Sequence, residues 1–182
     1  RGGRVSDPGD WRVPARATTN AGRSIVVTGA GSGIGQATVQ VLAGQGANVV
    51  AVDLTADSLA WLDEAPELAG VVRVSGSVTD ESTNAEMVAA AVKAFGRLDA
   101  VVNNAGILRD VMFHKMTRAD WDLSLGVVLT GSAYVSLAAA PHFRKQNSGA
   151  FVHLSSTSGL IGNMGQANYA AGKLGLVGLS KG

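Results

Sequence analysis

The sequence predicts an α/β fold, a Rossmann-like doubly wound parallel sheet with helices on both faces. From Ser24 onward, short runs rich in β-branched residues alternate with longer Ala-rich stretches, which is typical of repeated βαβ units. The first run leads directly into a glycine-rich turn that opens a helical pattern. The 24 glycines follow no Gly-x-y period, so they indicate tight turns and not a fibrous chain.

Five runs are apolar enough to be strands covered on both faces. They are residues 24–28, 48–52, 71–75, 100–103 and 150–154. Helical patterns lie between and after them, at residues 34–46, 57–62, 81–95, 117–146 and 168–181. The fourth helical stretch contains Gly126, Gly131 and Pro141, so we expect it to bend or split there.

The chain of 182 residues falls in the usual range of one domain. We expect that domain at residues 23–182, preceded by a flexible N-terminal extension at residues 1–22. The extension mixes arginine with glycine, proline and aspartate and has no apolar stretch typical of a secretory signal. An organelle presequence is the alternative for this segment, although Asp7 and Asp10 argue against it.

Composition excludes several classes of function. A net charge of +1 gives no electrostatic footprint for nucleic acid or an anionic membrane. By inspection, no apolar run approaches the roughly 20 residues that a bilayer span needs. Without cysteine there is no disulfide, thiol nucleophile or thiolate ligand, and the three histidines are too scattered to predict a metal site. A reducing compartment fits, so we expect the cytoplasm, with an organelle matrix as the alternative.

The turn Thr28-Gly-Ala-Gly-Ser-Gly-Ile-Gly35 has the pattern Thr-Gly-x-x-x-Gly-x-Gly and not the stricter Gly-x-Gly-x-x-Gly. Helix N-termini offer free N–H donors, and glycines let a pyrophosphate approach them closely. A P-loop is excluded because no Gly-Lys-Ser/Thr follows. We therefore predict a phosphate site, and a plain βα turn is the alternative. The candidate binding residues are Gly29, Ser32, Gly33, Ile34 and Gly35.

Asp53 closes the second predicted strand, at about the distance past the glycines where a carboxylate would accept hydrogen bonds from an adenosine ribose. A carboxylate there repels a 2′-phosphate, and Ser32 offers no basic group to attract one. The pattern predicts NAD(H) in preference to NADP(H). The alternative is an aspartate that merely caps the turn after its strand.

Ser156, Tyr169 and Lys173 predict carbonyl chemistry. Tyr169 and Lys173 are four residues apart and share one face if residues 168–181 are helical. A neighbouring ammonium stabilises a phenolate and so favours acid-base work by the tyrosine. Ser156 follows a predicted strand, where its hydroxyl could hydrogen-bond a substrate oxygen. Tyr-x-x-x-Lys alone would equally suit an ordinary surface helix.

Three motifs occur together, namely Thr28-Gly-x-x-x-Gly-x-Gly35, Asn103-Asn-Ala-Gly106, and Ser156 with Tyr169-x-x-x-Lys173. In this order and spacing the chain resembles the classical short-chain dehydrogenase/reductase family. The resemblance implies that Tyr169 is the general acid/base, that Lys173 binds the nicotinamide ribose and assists it, and that Ser156 holds the substrate oxygen. It also implies that the cofactor site includes Tyr169, Lys173 and the ends of the third and fourth strands, at Ser77, Val78, Asn104, Ala105 and Gly106.

The reaction implied by the resemblance is reversible hydride transfer between nicotinamide and a secondary alcohol or ketone. Two segments, residues 106–110 and 165–171, are similar to those of members that act on 3-hydroxyacyl or 3-oxoacyl thioesters. The family usually forms homo-dimers and homo-tetramers through helices that correspond to residues 117–146 and 168–181. We therefore expect a small-molecule substrate and a homo-oligomer, with neither nucleic acid nor membrane as partner.

Three departures from the family pattern favour a rival interpretation. Val128 stands where the family usually has an asparagine of a proton relay, and Ser77 stands where it usually has an aspartate near the adenine. The chain also ends at Gly182, so we expect the usual C-terminal strands to be lacking. The rival is a truncated or degenerate relative with little or no catalysis that acts through protein contacts.

Overall fold

A computed structural model describes residues 19–182 of the chain. Its centre is a five-stranded parallel sheet in the order β3-β2-β1-β4-β5, so the strand order reverses beside β1. The strands are β1 (Ser24–Thr28), β2 (Asn48–Asp53), β3 (Val72–Ser75), β4 (Ala100–Asn103) and β5 (Ala150–His153). The order and direction of these strands confirm the predicted Rossmann-like α/β fold.

The sheet is buried because its central strands are almost wholly apolar on both faces. Val26 and Val27 neighbour each other in β1 and are both fully buried, but they belong to different cores on opposite faces of the sheet. Val26 packs with Met87 and Val135, whereas Val27 packs with Val39 and Leu59. The helices that carry these partners therefore cover the two faces of the sheet.

The helices follow the predicted pattern closely, with boundaries that differ by a few residues. They are α1 (Gly33–Gly44), α2 (Glu81–Phe95), α3 (Arg118–Leu125), α4 (Ser132–Gln146), α5 (Thr157–Ile161) and α6 (Ala167–Leu179). The predicted helix at 57–62 is a 3₁₀-helix, Asp57–Glu64, and a second short one follows at Pro66–Leu68. Helix α5 was not predicted, since the sequence suggested only a turn there.

The long predicted helix at residues 117–146 is divided by a π-helical segment, Gly126–Gly131. The two expected glycines bound this segment, whereas Pro141 lies inside α4 without ending it. Thr117 and Asp120 form a capping box that starts α3, in which each side chain accepts a hydrogen bond from the other residue's backbone N–H. π-Helical turns frequently mark functional positions, and this one contains Val128.

The helical run Arg118–Gln146 is also apolar enough, over 29 residues, to cross a bilayer by length and composition alone. Its most apolar window has a mean hydropathy of 1.7, and 33% of that window is buried. We expected from the sequence that no apolar run is long enough to span a bilayer. By this measure that expectation is wrong. One such helix is weak evidence for a membrane, because core helices pass the same test, and here α4 packs against α2 and β4.

Residues 19–22 precede β1 as a turn attached to the loop between α1 and β2. The Asn20 amide donates to the Gln45 side chain, and the Gly22 N–H donates to the Gly46 carbonyl at 3.0 Å. The predicted flexible extension covers residues 1–22, of which residues 1–18 lie outside the described part of the chain.

Candidate active site

The predicted site residues gather at the carboxyl edge of the sheet. Because all five strands are parallel, their carboxyl ends meet at one edge, where open α/β sheets bind ligands. The glycine-rich turn follows β1, Asp53 ends β2, and Ser77 follows β3. Asn104 follows β4, and Ser156 follows β5. Segments that are far apart in the chain therefore meet at one edge of the sheet.

Two different structural constraints favour glycine in the turn after β1, close packing and a left-handed backbone conformation. A Cβ at Gly35 would lie 1.9 Å from the Gly29 carbonyl oxygen, and one at Gly29 would lie 2.9 Å from the Cα of Ala105. These two glycines let the turn pack tightly onto α1 and β4. Gly33 has φ +54° and open space around its Cβ position. The exposed Ser32 and Ile34 flank it at the N-terminus of α1.

This turn fits a phosphate-bearing dinucleotide. The N-terminus of α1 has no side-chain cap, since Ser32 makes no capping hydrogen bond. Its N–H groups therefore face the open space beside Gly33, where an anion would be stabilised by the donors and by the helix dipole.

Asp53 is held rigidly at the end of β2. One carboxylate oxygen accepts a hydrogen bond from the Gly31 N–H at 2.8 Å and the other from the Leu54 N–H at 2.7 Å. The bond to Gly31 ties β2 to the glycine-rich turn. The bond to Leu54 is also what the alternative, an aspartate that caps the turn after its strand, would form. Asp53 therefore has a local structural contact and also lies beside the glycine-rich turn.

The residues after β3 form hydrogen bonds with residues close to them in the sequence. The Ser77 hydroxyl bonds the Thr79 hydroxyl at 2.7 Å and accepts from the Thr79 N–H at 3.2 Å. Val78 has a buried side chain in the core, and its carbonyl accepts from the Asn84 amide at 3.0 Å. The Val78 side chain is therefore directed away from any ligand at the edge.

Asn104 connects the end of β4 to the glycine-rich turn. Its side-chain amide donates to the carbonyls of Thr28 and Gly29 at 2.9 and 3.1 Å. The Thr28 hydroxyl accepts in return from the backbone N–H groups of Asn104 and Ala105, both at 3.1 Å. Thr28 was not predicted as a site residue, yet it aligns the two segments between which a dinucleotide would lie. Gly106, which follows Ala105, is exposed.

Lys173 is buried, with 4% of its surface exposed. Its ammonium donates to the Leu154 carbonyl and lies 5.5 Å from the centroid of the Tyr169 ring. Burial lowers the pKa of Lys173, because desolvation disfavours the charged form. Within residues 19–182 no carboxylate pairs with this ammonium. Tyr169 is thus the aromatic group that shares the buried environment of the charge.

Two serines after β5 have different partners, Ser155 in the helix of Lys173 and Ser156 in α5. The Ser155 hydroxyl donates to the Lys173 carbonyl at 2.7 Å. Ser156 caps α5, where its hydroxyl oxygen accepts from the Ser158 N–H at 3.2 Å. The O–H of Ser156 therefore stays available to donate to a ligand. Helices α5 and α6 approach closely at Gly159, whose Cβ would lie 2.8 Å from the Leu174 nitrogen.

Val128 and the Lys173 ammonium both lie near Gly106. A Cβ at Gly106 would be 3.7 Å from a Val128 methyl and 3.9 Å from the Lys173 Nζ. Val128 is fully buried, and its carbonyl accepts from the Ser132 hydroxyl at 2.7 Å. The side chain offers no hydrogen bond at this position, and one lone pair of the carbonyl is already in use.

Three polar residues near the site were missed by sequence reasoning. Asn168 is fully buried, donates to the carbonyls of Arg109 and Asp120, and accepts from the Tyr169 N–H at 2.8 Å. Gln166 and Asp110 bond each other at 2.8 Å. All three lie in the two segments, residues 106–110 and 165–171, that the resemblance singled out, but that resemblance gave none of them a role.

Elsewhere in the part of the chain that the structure describes, no group of three His, Asp or Glu residues is arranged to hold a metal ion. A groove of about 960 Å³ lies between α2 and α4 and is lined by Val88, Tyr134 and Leu137 among others. It contains none of the predicted catalytic residues.

Comparison with known proteins agrees with the geometry. The profile of the family described as "short chain dehydrogenase" matches residues 23–182. The chain is 47% identical over 171 residues to a short-chain type dehydrogenase/reductase of Mycobacterium tuberculosis, covering 86% of this chain and 59% of that protein. It is 41% identical over 162 residues to the 3-oxoacyl-[acyl-carrier-protein] reductase FabG of Thermotoga maritima, covering 88% of this chain and 66% of FabG.

A third relative is the peroxisomal multifunctional enzyme type 2 of Mus musculus, 43% identical over 166 residues, with 87% of this chain and 23% of the enzyme covered. The chain thus spans about 60% of the length of the first two relatives. Because the family profile matches residues 23–182, and the fold agrees with it, the chain belongs to the short-chain dehydrogenase family.

Proposed function

We propose that the chain binds NAD(H) and interconverts a secondary alcohol and a ketone. The observation that carries the proposal is the buried Lys173 ammonium beside the Tyr169 ring, on a helix attached to the strand end that carries Ser156. When bound, the nicotinamide would supply or accept a hydride. The protein side chains would hold the substrate oxygen and move its proton.

Each catalytic side chain has a role that its surroundings support. Tyr169 would give a proton to the ketone oxygen or take one from the alcohol, as a general acid or base. The Lys173 charge would stabilise the phenolate, and its burial strengthens that attraction because solvent screens it less. Ser156 would donate its free O–H to the substrate oxygen. Together they polarise and protonate one oxygen atom.

The cofactor would lie along the glycine-rich turn and the ends of β2 to β4. The α1 N-terminus at Gly33 would receive the pyrophosphate, and Asp53 would accept hydrogen bonds from the adenosine ribose. A 2′-phosphate would meet the fixed negative charge of Asp53, which favours NAD(H) over NADP(H). Ser77 offers less charge near the adenine than an aspartate would.

For the substrate we propose a 3-hydroxyacyl or 3-oxoacyl thioester. The Thermotoga relative is named as a 3-oxoacyl reductase, and its similarity extends over 88% of this chain. An apolar rim beside Ser156, made by the exposed Leu160, Ile161 and Met164, suits an acyl chain better than a sugar.

We also propose a homo-oligomer, which the exposed apolar side chains of α4 and α6 support. Leu137 is 67% exposed and Leu174 is 52% exposed, although both lie on helices of the core domain. Light scattering after size exclusion would give the assembly state. For location, the cytoplasm and an organelle matrix are both compatible with this proposal, and several relatives carry "peroxisomal" in their names.

A titration with NADH and NADPH tests the proposed function. Trp61 lies next to the glycine-rich turn, where its Nε1 donates to the Ala30 carbonyl, so its fluorescence should transfer to bound reduced nicotinamide. NADH should bind more tightly than NADPH, and Asp53→Ala should reduce or reverse that preference. Absence of binding for both cofactors at millimolar concentration contradicts the proposal and favours the degenerate alternative, which Val128 and Ser77 support.

A further inference from the structure

A buried amide connects the loop after β4 to the segment after β5. Gln166 is 8% exposed and lies just before α6. Its Nε2 donates to the Asp110 carboxylate at 2.8 Å, and its Oε1 accepts from the Ser158 hydroxyl at 2.8 Å and from the Asn163 amide at 3.1 Å. Asp110 follows β4, whereas Ser158 follows β5 and lies two residues from Ser156.

The charge of Asp110 determines the direction of every bond in this network. A carboxylate can only accept, so the Gln166 amide must present its NH₂ to Asp110 and its oxygen to Ser158. The Ser158 hydroxyl must then act as a donor to Gln166. Asp110 is exposed, and its carboxylate receives a charge-assisted hydrogen bond from the buried Gln166.

The network ends on the backbone that orients Ser156. The Ser158 N–H donates to the Ser156 oxygen, which uses one of its two lone pairs and leaves its O–H to donate. On the other side, the Val111 N–H donates to the Gly165 carbonyl at 2.8 Å, one residue before Gln166. The loop after β4 and the Ser156 segment are therefore held to the same point, immediately before the helix of Tyr169.

We infer that Asp110 and Gln166 are positioning residues that fix the Ser156 hydroxyl relative to the Tyr169 helix. Gln166 bonds both Asp110 and Ser158, so both residues act through Ser158. The catalytic consequence rests on the proposed function. The coupling between the two segments is a property of the fold and can be measured without turnover.

An exchange of partners tests the link. Gln166→Glu places two carboxylates face to face and should break it. The double variant Asp110→Asn with Gln166→Glu restores a pair, because the introduced amide can donate to the introduced carboxylate, which still accepts from Ser158 and Asn163. The total charge is that of the wild type. Asp122→Asn is the control, since it removes an exposed carboxylate on α3 that makes no side-chain hydrogen bond within residues 19–182.

Amide exchange measured by NMR reads the coupling directly. Gln166→Glu should speed exchange at both the Val111 and Ser158 amides while the amides of β1 are unchanged, and the double variant should restore both rates. Acceleration at only one of the two amides, or no restoration in the double variant, would overturn the link.

Steady-state kinetics read the catalytic consequence. Gln166→Glu should lower kcat by about tenfold or more, as expected when a buried polar partner is lost, with the Kd for NADH unchanged. The double variant should recover most of kcat, and Asp122→Asn should retain it. If the wild type is active and Gln166→Glu keeps its kcat, the positioning role is refuted, whereas the proposed function is not. A wild type that neither binds NADH nor turns over refutes the proposed function, and the exchange rates still decide the link.

Discussion

The ammonium of Lys173 lies 5.5 Å from the ring centroid of Tyr169 while it donates to the Leu154 carbonyl. One helical turn separates the two residues, so α6 alone brings them together. The tertiary contribution is burial, since α5 and the π-helical segment pack against α6 and Leu154 lies against the charge. An ammonium that is desolvated without a carboxylate partner attracts a phenolate more strongly than a surface lysine does.

Removing the Tyr169 hydroxyl should abolish turnover and leave cofactor binding intact. We expect Tyr169→Phe to lower kcat by about 10²- to 10⁴-fold, the usual contribution of a general acid or base. The other tyrosine of the chain, Tyr134, is 46% exposed on α4 and provides a matched control. Tyr134→Phe should keep the wild-type rate. An unchanged kcat in Tyr169→Phe refutes the assigned role.

Restoring an amide beside Lys173 should preserve or raise the rate at a cost in stability. In Val128→Asn the new side chain can hold a water near the Lys173 ammonium, whereas an unmet polar group at this buried site costs about 1–3 kcal/mol. Rate and urea unfolding should be measured together. Val135→Asn, a change at another fully buried valine in the core of α4, should destabilise the fold without raising kcat. A reduced rate in folded Val128→Asn contradicts the expectation.

The two ends of α1 should respond oppositely to alanine. Gly35→Ala places its Cβ 1.9 Å from the Gly29 carbonyl oxygen, and such overpacking costs about 1–3 kcal/mol. Gly44→Ala meets no atom within 4 Å at the last residue of α1 and should stabilise by up to about 1 kcal/mol. For a domain of this size each kcal/mol shifts Tm by about 2–4 °C. Thermal unfolding of the two variants checks the contrast.

Asp99 should make stability fall at low pH. Burial by itself raises the pKa of Asp99, but the hydrogen bonds from Arg97 and the Ser24 N–H, with the charges of Arg97 and Arg23, outweigh it and hold the pKa below its usual value. A carboxyl group with a lowered folded pKa stabilises the fold above its unfolded pKa of about 3.9 and loses that contribution as pH falls through the folded value.

Urea unfolding at neutral pH and near pH 3 measures this effect. Asp99→Asn should be less stable than the wild type at neutral pH, and the difference should shrink on acidification. Asp63→Asn, at an exposed pair with Arg73, should change stability little at either pH, because exposed ion pairs contribute only about 0–1 kcal/mol. Equal acid sensitivity in Asp99→Asn and the wild type would show that Asp99 is not responsible.

Some features of the fold were beyond sequence reasoning for physical reasons. Helix α5 has five residues, too short to be stable alone, and it exists because Ser156 caps it and α6 supports it. The π-helical segment was predicted only as a bend or split. Glycines show where an α-helix is less stable, but they do not show which irregular conformation replaces it. The network of Asp110 and Gln166 joins positions 56 residues apart, a pairing that no local pattern contains.

By itself the sequence determined the five strands, the order of the motifs and the candidate residues of the site, because hydrophobic periodicity, glycine spacing and an i, i+4 pair are local properties. Tertiary structure decided the environment of those residues. It buried Lys173 with no carboxylate partner from residues 19–182, and it committed Asp53 and Asn104 to the glycine-rich turn. It also placed both Val128 and the Lys173 ammonium near Gly106. Desolvation and hydrogen-bond partners come from segments distant in the chain, so only the folded molecule defines them.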